Sequence, residues 1–382
     1  MDSIKKEFDW EEVGKPVFST ENYTLYALQK DGGWVITGIH AASEEAVREV
    51  HIPACIGDEL VVGVEADLCC DGYVYYDSNL RRFPIGEMHL PDDLQQVMMR
   101  GMNVKRLTLI PTEQPRLKIV NGLLLSADGR RMIYIADAEQ TRYAVPGGVE
   151  VLEACAFEGS QAEEILLPSS LREIGDNAFY KAAVAELEIP AGVKTIGSSA
   201  FANMNLTEVK LPDGLEELGP DAFSGSSMAR LILPDGLKQL GHGMLYEATV
   251  GSVHLPEGLR ALPEYAFGFC CVNEIKLPQG LEVIGMEAFH MCSLRSIRLP
   301  ESLREIGEYA FYACTRLREV NLPASLKRIG DSAFARCYSL RRPEVPEGAE
   351  MGCDVFKGCR VSDDDSEDSG DDEDGFDFFS DK

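Results

Sequence analysis

Apolar and polar residues alternate in short segments that recur along the chain. In residues 294–299, LRSIRL, the apolar residues Leu294, Ile297 and Leu299 are separated by polar ones. This near-alternation is typical of a strand that buries one face. Pro300 follows, and a proline lacks the amide N–H that a continued ladder of hydrogen bonds needs. The pattern therefore predicts a short strand that ends just before Pro300.

The residues after the proline predict how the chain turns back. Ser302 suits a tight turn, and Leu303 and Ile306 are spaced to point into a core. Gly307 allows a second bend. The segment EYAF (308–311) then predicts a helical turn that places Phe311 in the core.

This unit is repeated with a nearly constant period. Eight prolines are each 22 residues apart, and two more follow at steps of 23. Gly or Ser stands two residues after each proline, and Phe or Leu stands eleven residues after all but the last, where Phe356 comes one place early. The prolines are Pro146, Pro168, Pro190, Pro212, Pro234, Pro256, Pro278, Pro300, Pro323 and Pro346. A single unit cannot bury its own apolar side, whereas stacked units can, so the repeat predicts a solenoid.

The repeated motif resembles that of a known family. Residues 143–359 follow L-x-x-[IV]-x-L-P-x-[GS]-[LV]-x-x-[IL]-G-x-x-A-F-x-x-C, which is similar to the BspA-like leucine-rich repeats of bacteria and protists. The resemblance implies an α/β, β-rich solenoid. It would be a right-handed superhelix of 22–23-residue coils, each with a short strand, a turn and a short helical or 3-10 segment. It also implies protein binding without catalysis.

The N-terminal part resembles a degenerate form of the same family. We predict a cap over residues 1–47 with a β-hairpin at 23–39, then degenerate repeats over 48–145. Residues 48–68 with Pro53, residues 88–97 with Pro91 and residues 104–111 resemble three early coils, with an inserted loop at 69–89 and a second hairpin at 121–136. Regular repeats follow over 146–360. Residues 361–382 are predicted to be a disordered acidic tail, because the segment is rich in Asp and Glu.

Charge and hydropathy restrict the class of partner. The chain has 382 residues and a net charge of −28, of which residues 362–382 contribute −10 through eleven acids and one lysine. This balance argues against nucleic acid and anionic membranes as main partners. The sequence contains no run of about 18 apolar residues, so it predicts no membrane span. The N-terminal segment has no apolar region typical of a secretory signal, so we expect a cytoplasmic protein. We also expect a monomer.

The residues that could act in catalysis or metal binding form no recognised motif. Cys270, Cys292, Cys314 and Cys337 each lie fourteen residues after a repeat proline, and Cys359 is the equivalent in the last copy. Small or soft residues fill the same position elsewhere, so we interpret it as a packing position rather than a metal site. We assign the six histidines to unrelated repeat positions. We therefore predict no metal, no cofactor and no enzymatic activity.

The polar positions of the repeated strands are the main candidate for function, because they line one broad sheet. Early coils carry acids at these positions and late coils carry bases, which predicts a bipolar surface for a protein with complementary charge order. The alternative is a solvated sheet whose charges only maintain solubility. The candidate partner-binding residues are Glu164, Glu186, Glu188, Glu208, Arg230, His254, Lys276, Arg295, Arg298, Arg318, Arg341 and Arg342.

The inserted loop and the tail are the other candidates. The loop contains Tyr73, Tyr75, Tyr76 and Arg82, residue types that suit interface hot spots or a small ligand or carbohydrate, although an insertion packed on the solenoid is the simpler interpretation. The tail could fold back onto the basic end of the sheet, or act only as a flexible solubility segment. A surface adhesin exported by an unrecognised route remains an alternative function.

Overall fold

The computed structural model describes residues 15–30, 33–41, 47–69, 85–101 and 104–360. Within these ranges the chain forms a β-solenoid of about 12 turns with a spacing of about 22 residues. Two sides of the coil are parallel ladders of short strands, and the third side consists of turns. The predicted solenoid is confirmed, and the predicted helical segment is wrong: the described residues contain no helix.

The first ladder contains the strands that precede the prolines. Neighbouring strands are parallel and in register, so that equivalent residues of successive coils lie side by side. Its strands are Val47–His51, Ile85–Pro91, Val104–Ile110, Arg142–Ala144, Glu164–Leu166, Glu208–Lys210, Ser227–Ile232, Thr249–His254, Cys271–Lys276, Ser296–Ile297 and Glu319–Val320. In the third coil Ile110 lies opposite Pro91.

The second ladder follows the turn after each proline, and the sequence did not predict it. Each of its regular strands is only two residues long, too short for an alternation to be recognisable. Its strands are Val151–Leu152, Glu173–Ile174, Thr195–Ile196, Glu217–Leu218, Ala261–Leu262, Val283–Ile284, Glu305–Ile306, Arg328–Ile329 and Glu350–Met351.

The third side replaces the expected helix for a reason visible in its hydrogen bonds. Alternate amides, such as those of Phe157 and Phe179, donate to carbonyl oxygens of the next coil at 2.7 and 2.8 Å. An α-helix needs every amide for a carbonyl four residues back in the same segment. Residues nine and thirteen places after the prolines also adopt the left-handed region, as at Asn177 (φ 54°) and Lys181 (φ 57°). The segment is therefore a series of turns bonded between coils.

A stack of phenylalanine rings runs through the core along the solenoid axis. Phe157, Phe179, Phe201 and Phe223 are buried, with successive ring centroids 5.3, 5.5 and 5.3 Å apart. A second stack runs from Phe267 to Phe356 with spacings of 5.0, 5.0, 4.9 and 5.5 Å. The phenylalanines that recur in the repeats therefore stack along the axis of the core.

The N-terminal region extends the ladders with antiparallel strands. Residues 23–41 form a hairpin whose second strand pairs in parallel with residues 59–69, and residues 123–135 form a second hairpin that joins the second ladder. The strands of this region are Lys15–Ser19, Tyr23–Lys30, Gly33–Ala41, Cys55–Ile56, Glu59–Cys69, Gln96–Met98, Leu117–Val120, Leu123–Ser126 and Arg131–Ile135.

The two ladders are interrupted at different coils. The coil that contains Glu186 and Glu188 has no strand before Pro190, contrary to the prediction of one strand per coil. The coil that begins at Pro234 lacks the second-ladder strand, and there Leu245 interrupts the phenylalanine stack. The first ladder is continuous across this second interruption, from residue 208 to residue 276.

Candidate functional site

The strand face, by which we mean the outward-pointing side chains just before the repeat prolines, carries all twelve predicted partner-binding residues. Eleven of them are exposed, and Glu164 is half-buried. The register places Glu208 beside Arg230 and His254 beside Lys276 in neighbouring coils. The predicted residues therefore lie on one side of the coil, where the strand pairing is interrupted at the coil of Glu186 and Glu188 and again between Lys276 and Ser296.

Acidic residues in the first half of the strand face are partly paired. Glu164 lies 2.9 Å from Arg142, and Glu208 lies 3.6 Å from Arg230. These ion pairs are between exposed side chains, and such pairs contribute about 1 kcal/mol or less to stability. They neutralise charge along the face without fixing its structure.

Basic residues in the second half form what we call the arginine lane: Arg295, Arg298, Arg318 and Arg341. The amide of Arg318 donates to the carbonyl of Arg295 at 3.0 Å, and that of Arg341 donates to Arg318 at 3.1 Å, so these three residues occupy equivalent places in successive coils. Within the described part of the chain, Arg295, Arg298 and Arg318 have no carboxylate at ion-pair distance. Like charges directly opposite on a sheet destabilise it. The lane is thus a concentration of positive charge without an internal counterion at these three residues.

A histidine–carboxylate cluster lies at the other end of the strand face, and the sequence did not predict it. His51 and His89 are opposite each other on adjacent parallel strands, so the prediction that the histidines occupy unrelated repeat positions is wrong. Both histidines stand two residues before an early proline, and this shared position in the repeat is the sequence signal that could have predicted their contact. Nε2 of each ring lies 2.8 Å from Oε1 of Glu49, and the hydrogen bond from His51 is the largest cause of a lowered pKa at Glu49.

The cysteine position is buried and bonded, as expected of a packing position. The Sγ atoms of Cys314, Cys337 and Cys359 donate to phenylalanine carbonyl oxygens of the preceding coil at 3.0, 3.0 and 3.2 Å. Burial raises the pKa of the Cys270 and Cys292 thiols. A protonated, inaccessible thiol is a poor nucleophile and metal ligand.

The turn side of the solenoid carries a row of aromatic residues that the sequence did not predict. Tyr246, Phe269, His290 and Tyr312 follow one another with ring centroids 5.1 to 5.3 Å apart. Burial lowers the pKa of His290, although Glu287 Oε2 lies 2.9 Å from its Nδ1. This row packs the outer surface of successive turns together.

Two predicted candidates lie outside the described residues. These are the loop residues Tyr73, Tyr75, Tyr76 and Arg82, and the tail at 361–382. The described residues contain no helix that is long and apolar enough to cross a membrane.

The family model of the BspA type leucine rich repeat region matches residues 136–250 and 238–362, with six copies, which together cover more than half of the chain. The chain belongs to this family. BspA-type and other leucine-rich repeat proteins are typically non-enzymatic scaffolds, and many bind proteins or are found at cell surfaces. No curated protein matches the chain.

Solved structures of bacterial leucine-rich repeat proteins are similar to this BspA-type chain at low identity. A Bacteroides ovatus protein is 18% identical over 90% of this chain and 92% of its own, with a TM-score of 0.41. A leucine rich cell surface protein from Faecalibacterium prausnitzii is 18% identical over 91% and 95%, with a TM-score of 0.43. The pneumococcal vaccine antigen PcpA is 16% identical over 92% and 89%, with a TM-score of 0.41.

Proposed function

We propose that this BspA-type solenoid recognises a protein partner through its strand face, without catalysis, and that an acidic segment of the partner binds the arginine lane. The observation that carries the proposal is the exposure of Arg295, Arg298 and Arg318 without a carboxylate partner among the described residues. An arginine guanidinium binds carboxylates in a bidentate fork, which favours it at interfaces.

The repulsion within the lane supports binding rather than a structural role. Strands in a sheet are about 4.8 Å apart, so equivalent arginines in successive coils repel one another. Elsewhere the chain pairs bases with acids of a neighbouring coil, as between Arg328 and Glu305 of the preceding coil at 3.3 Å. An acidic ligand would relieve the repulsion at Arg295, Arg298 and Arg318, which have no carboxylate at ion-pair distance among the described residues.

The acidic half of the strand face would fix the orientation of the bound partner. Glu186 and Glu188 are exposed five to seven coils before the residues of the lane. A partner with acidic and basic segments in the matching order would bind in one orientation, because the reverse orientation places like charges together. The high negative charge of the whole chain disfavours nucleic acid as the ligand of the lane.

The proposal is tested by affinity capture from an extract of the native cells. The wild type is compared with the variant Arg295→Glu, Arg298→Glu and Arg318→Glu. The matched control reverses Arg304, Lys327 and Arg328, which are exposed on or directly before second-ladder strands and change the net charge equally. We expect at least a tenfold loss of specific partners with the first variant and retention with the control.

Recovery of the same partners by both variants contradicts binding at the arginine lane. Loss with both variants would indicate a general charge effect and also counts against the lane.

The cytoplasmic location and the monomeric state stay predictions, which cell fractionation and sedimentation check; a cell-surface location would favour the adhesin alternative.

A further inference from the structure

We propose that Glu49, His51 and His89 form a binding site for one divalent transition-metal ion of the zinc class. The site lies at the N-terminal end of the strand face, on the strands Val47–His51 and Ile85–Pro91. It is separate from the arginine lane and does not depend on the proposed function. Two imidazoles and one carboxylate are a ligand set that suits zinc.

The three ligand atoms already converge. Nε2 of His51 and Nε2 of His89 each lie 2.8 Å from Oε1 of Glu49, and the three ligand atoms all lie within 4.8 Å of one another. Zinc binds nitrogen and oxygen at about 2.0–2.1 Å, which holds two tetrahedral ligands about 3.3 Å apart. The two separations of 2.8 Å are shorter than that value and the third is within 4.8 Å, so small side-chain movements can bring the three atoms around one ion.

His89 is oriented as a ligand by a residue of the next strand. Its Nδ1 lies 2.6 Å from Oγ1 of Thr108, which is opposite His89 in the ladder. When the Nδ1 proton is donated to Thr108, Nε2 presents its lone pair. A second-shell hydrogen bond of this kind fixes the tautomer and ring orientation of metal-binding histidines.

The Nε2 atom of His89 supplies a further indication of a missing ligand. It is shielded from solvent and makes no hydrogen bond of good geometry, although Glu49 Oε1 lies 2.8 Å away. A buried polar atom without a partner is costly and calls for an explanation. A metal ion bound to Nε2 would satisfy it.

The side chains of His51 and Glu49 are accessible to solvent, so they can move to complete the site. Their side chains are 55% and 52% exposed, whereas that of His89 is 19% exposed. The two imidazole rings are stacked, with centroids 4.2 Å apart and an angle of 10°. Because a metal ion lies near the plane of each imidazole that binds it, His51 must tilt out of the stack on binding. Water can take the fourth position.

The test is a zinc titration of the full chain, after removal of metal with a chelator and alkylation of the accessible thiols, which include the exposed Cys55 and Cys353. We expect one zinc ion per chain by calorimetry. His51→Gln and Glu49→Gln should each weaken binding at least tenfold, and Thr108→Val should weaken it by about tenfold through the ring of His89. Cobalt should bind competitively and give the visible absorption of a low-coordinate site.

The matched control is His254→Gln. His254 also stands two residues before a repeat proline, but Ile232 and Lys276 lie beside it, so it has no second histidine. Zinc affinity should be unchanged in this variant. The proposal is overturned if the wild type binds no zinc after alkylation, or if His51→Gln binds as tightly as the wild type. Far-UV circular dichroism checks folding; His51 is exposed, so its variant should fold even if a variant of His89 does not.

Discussion

At the scale of single residues, the repeated glycine shows how the solenoid constrains side chains. Gly307 was expected to permit a bend, but it is not among the residues with positive φ. Its role is close approach: a Cβ built there would lie 2.7 Å from the backbone carbon of Gly285 in the preceding coil. A Cβ built at Gly285 would in turn lie 2.8 Å from the backbone oxygen of Leu262 in the coil before it. The repeated glycines therefore form a column along which the backbones of successive coils are in close contact.

Replacement of Gly307 by alanine should therefore destabilise the protein. The added methyl group meets backbone, which cannot move aside as a side chain can, and overpacking of this kind costs about 1–3 kcal/mol. The control is Gly258→Ala, where the nearest atom would be 3.7 Å away and φ is not positive. Chemical denaturation should show a loss for Gly307→Ala and a change within about 0.5 kcal/mol for the control. Equal effects would contradict the close-approach explanation.

At the scale of elements, the coil that begins at Pro234 is where the pattern changes. Neighbouring coils have Ala and Phe ten and eleven residues after the proline, and this coil has Met244 and Leu245, both fully buried. The larger residue at the first position offsets the smaller one at the second. The second ladder is also interrupted here, while the first ladder is continuous and holds the two halves together.

A double-mutant cycle tests this compensation. Leu245→Phe alone should overpack the core at a cost of about 1–3 kcal/mol, and Met244→Ala alone should leave a cavity at a cost of about 2–5 kcal/mol. The double variant restores the Ala-Phe pair of the other coils and should unfold at nearly the wild-type denaturant concentration. Additive losses in the double variant would show that the two positions do not share space.

At the scale of the whole molecule, charge is distributed unevenly from end to end. The strand face is acidic first and basic later, and the chain continues after residue 360 into a segment with eleven acids and one lysine. That segment carries the charge that the arginine lane would bind. Competition between the tail and an acidic partner for the lane is therefore a hypothesis that the composition itself suggests.

Deletion of residues 362–382 should raise the affinity of the body for an acidic probe such as polyglutamate, with a steeper dependence on salt. The matched control replaces the segment with a Gly-Ser sequence of equal length, which should behave as the deletion does. In the variant with Arg295, Arg298 and Arg318 changed to Glu, the deletion should have no effect. Fluorescence anisotropy measures each case, and an unchanged affinity after deletion would contradict masking of the lane by the tail.

The sequence by itself determined the features that every coil must repeat. The position of the strand before each proline, the inward leucines and isoleucines and the axial phenylalanines all follow from a local requirement that recurs with a constant period. Register then assigned the polar positions to one surface, because equivalent residues of stacked coils lie side by side. Even so, the sequence predicted a strand at the coil of Glu186 that the structure lacks.

The tertiary structure alone decided how each coil closes and which distant residues meet. The second ladder is too short to leave a periodic signal, and the turns replace a helix because alternate amides bond to the next coil. His51 and His89 are 38 positions apart, across an insertion that breaks the constant period, and only the parallel pairing of their strands brings both rings to Glu49. Contacts of that kind depend on register between coils, which is a property of the folded chain.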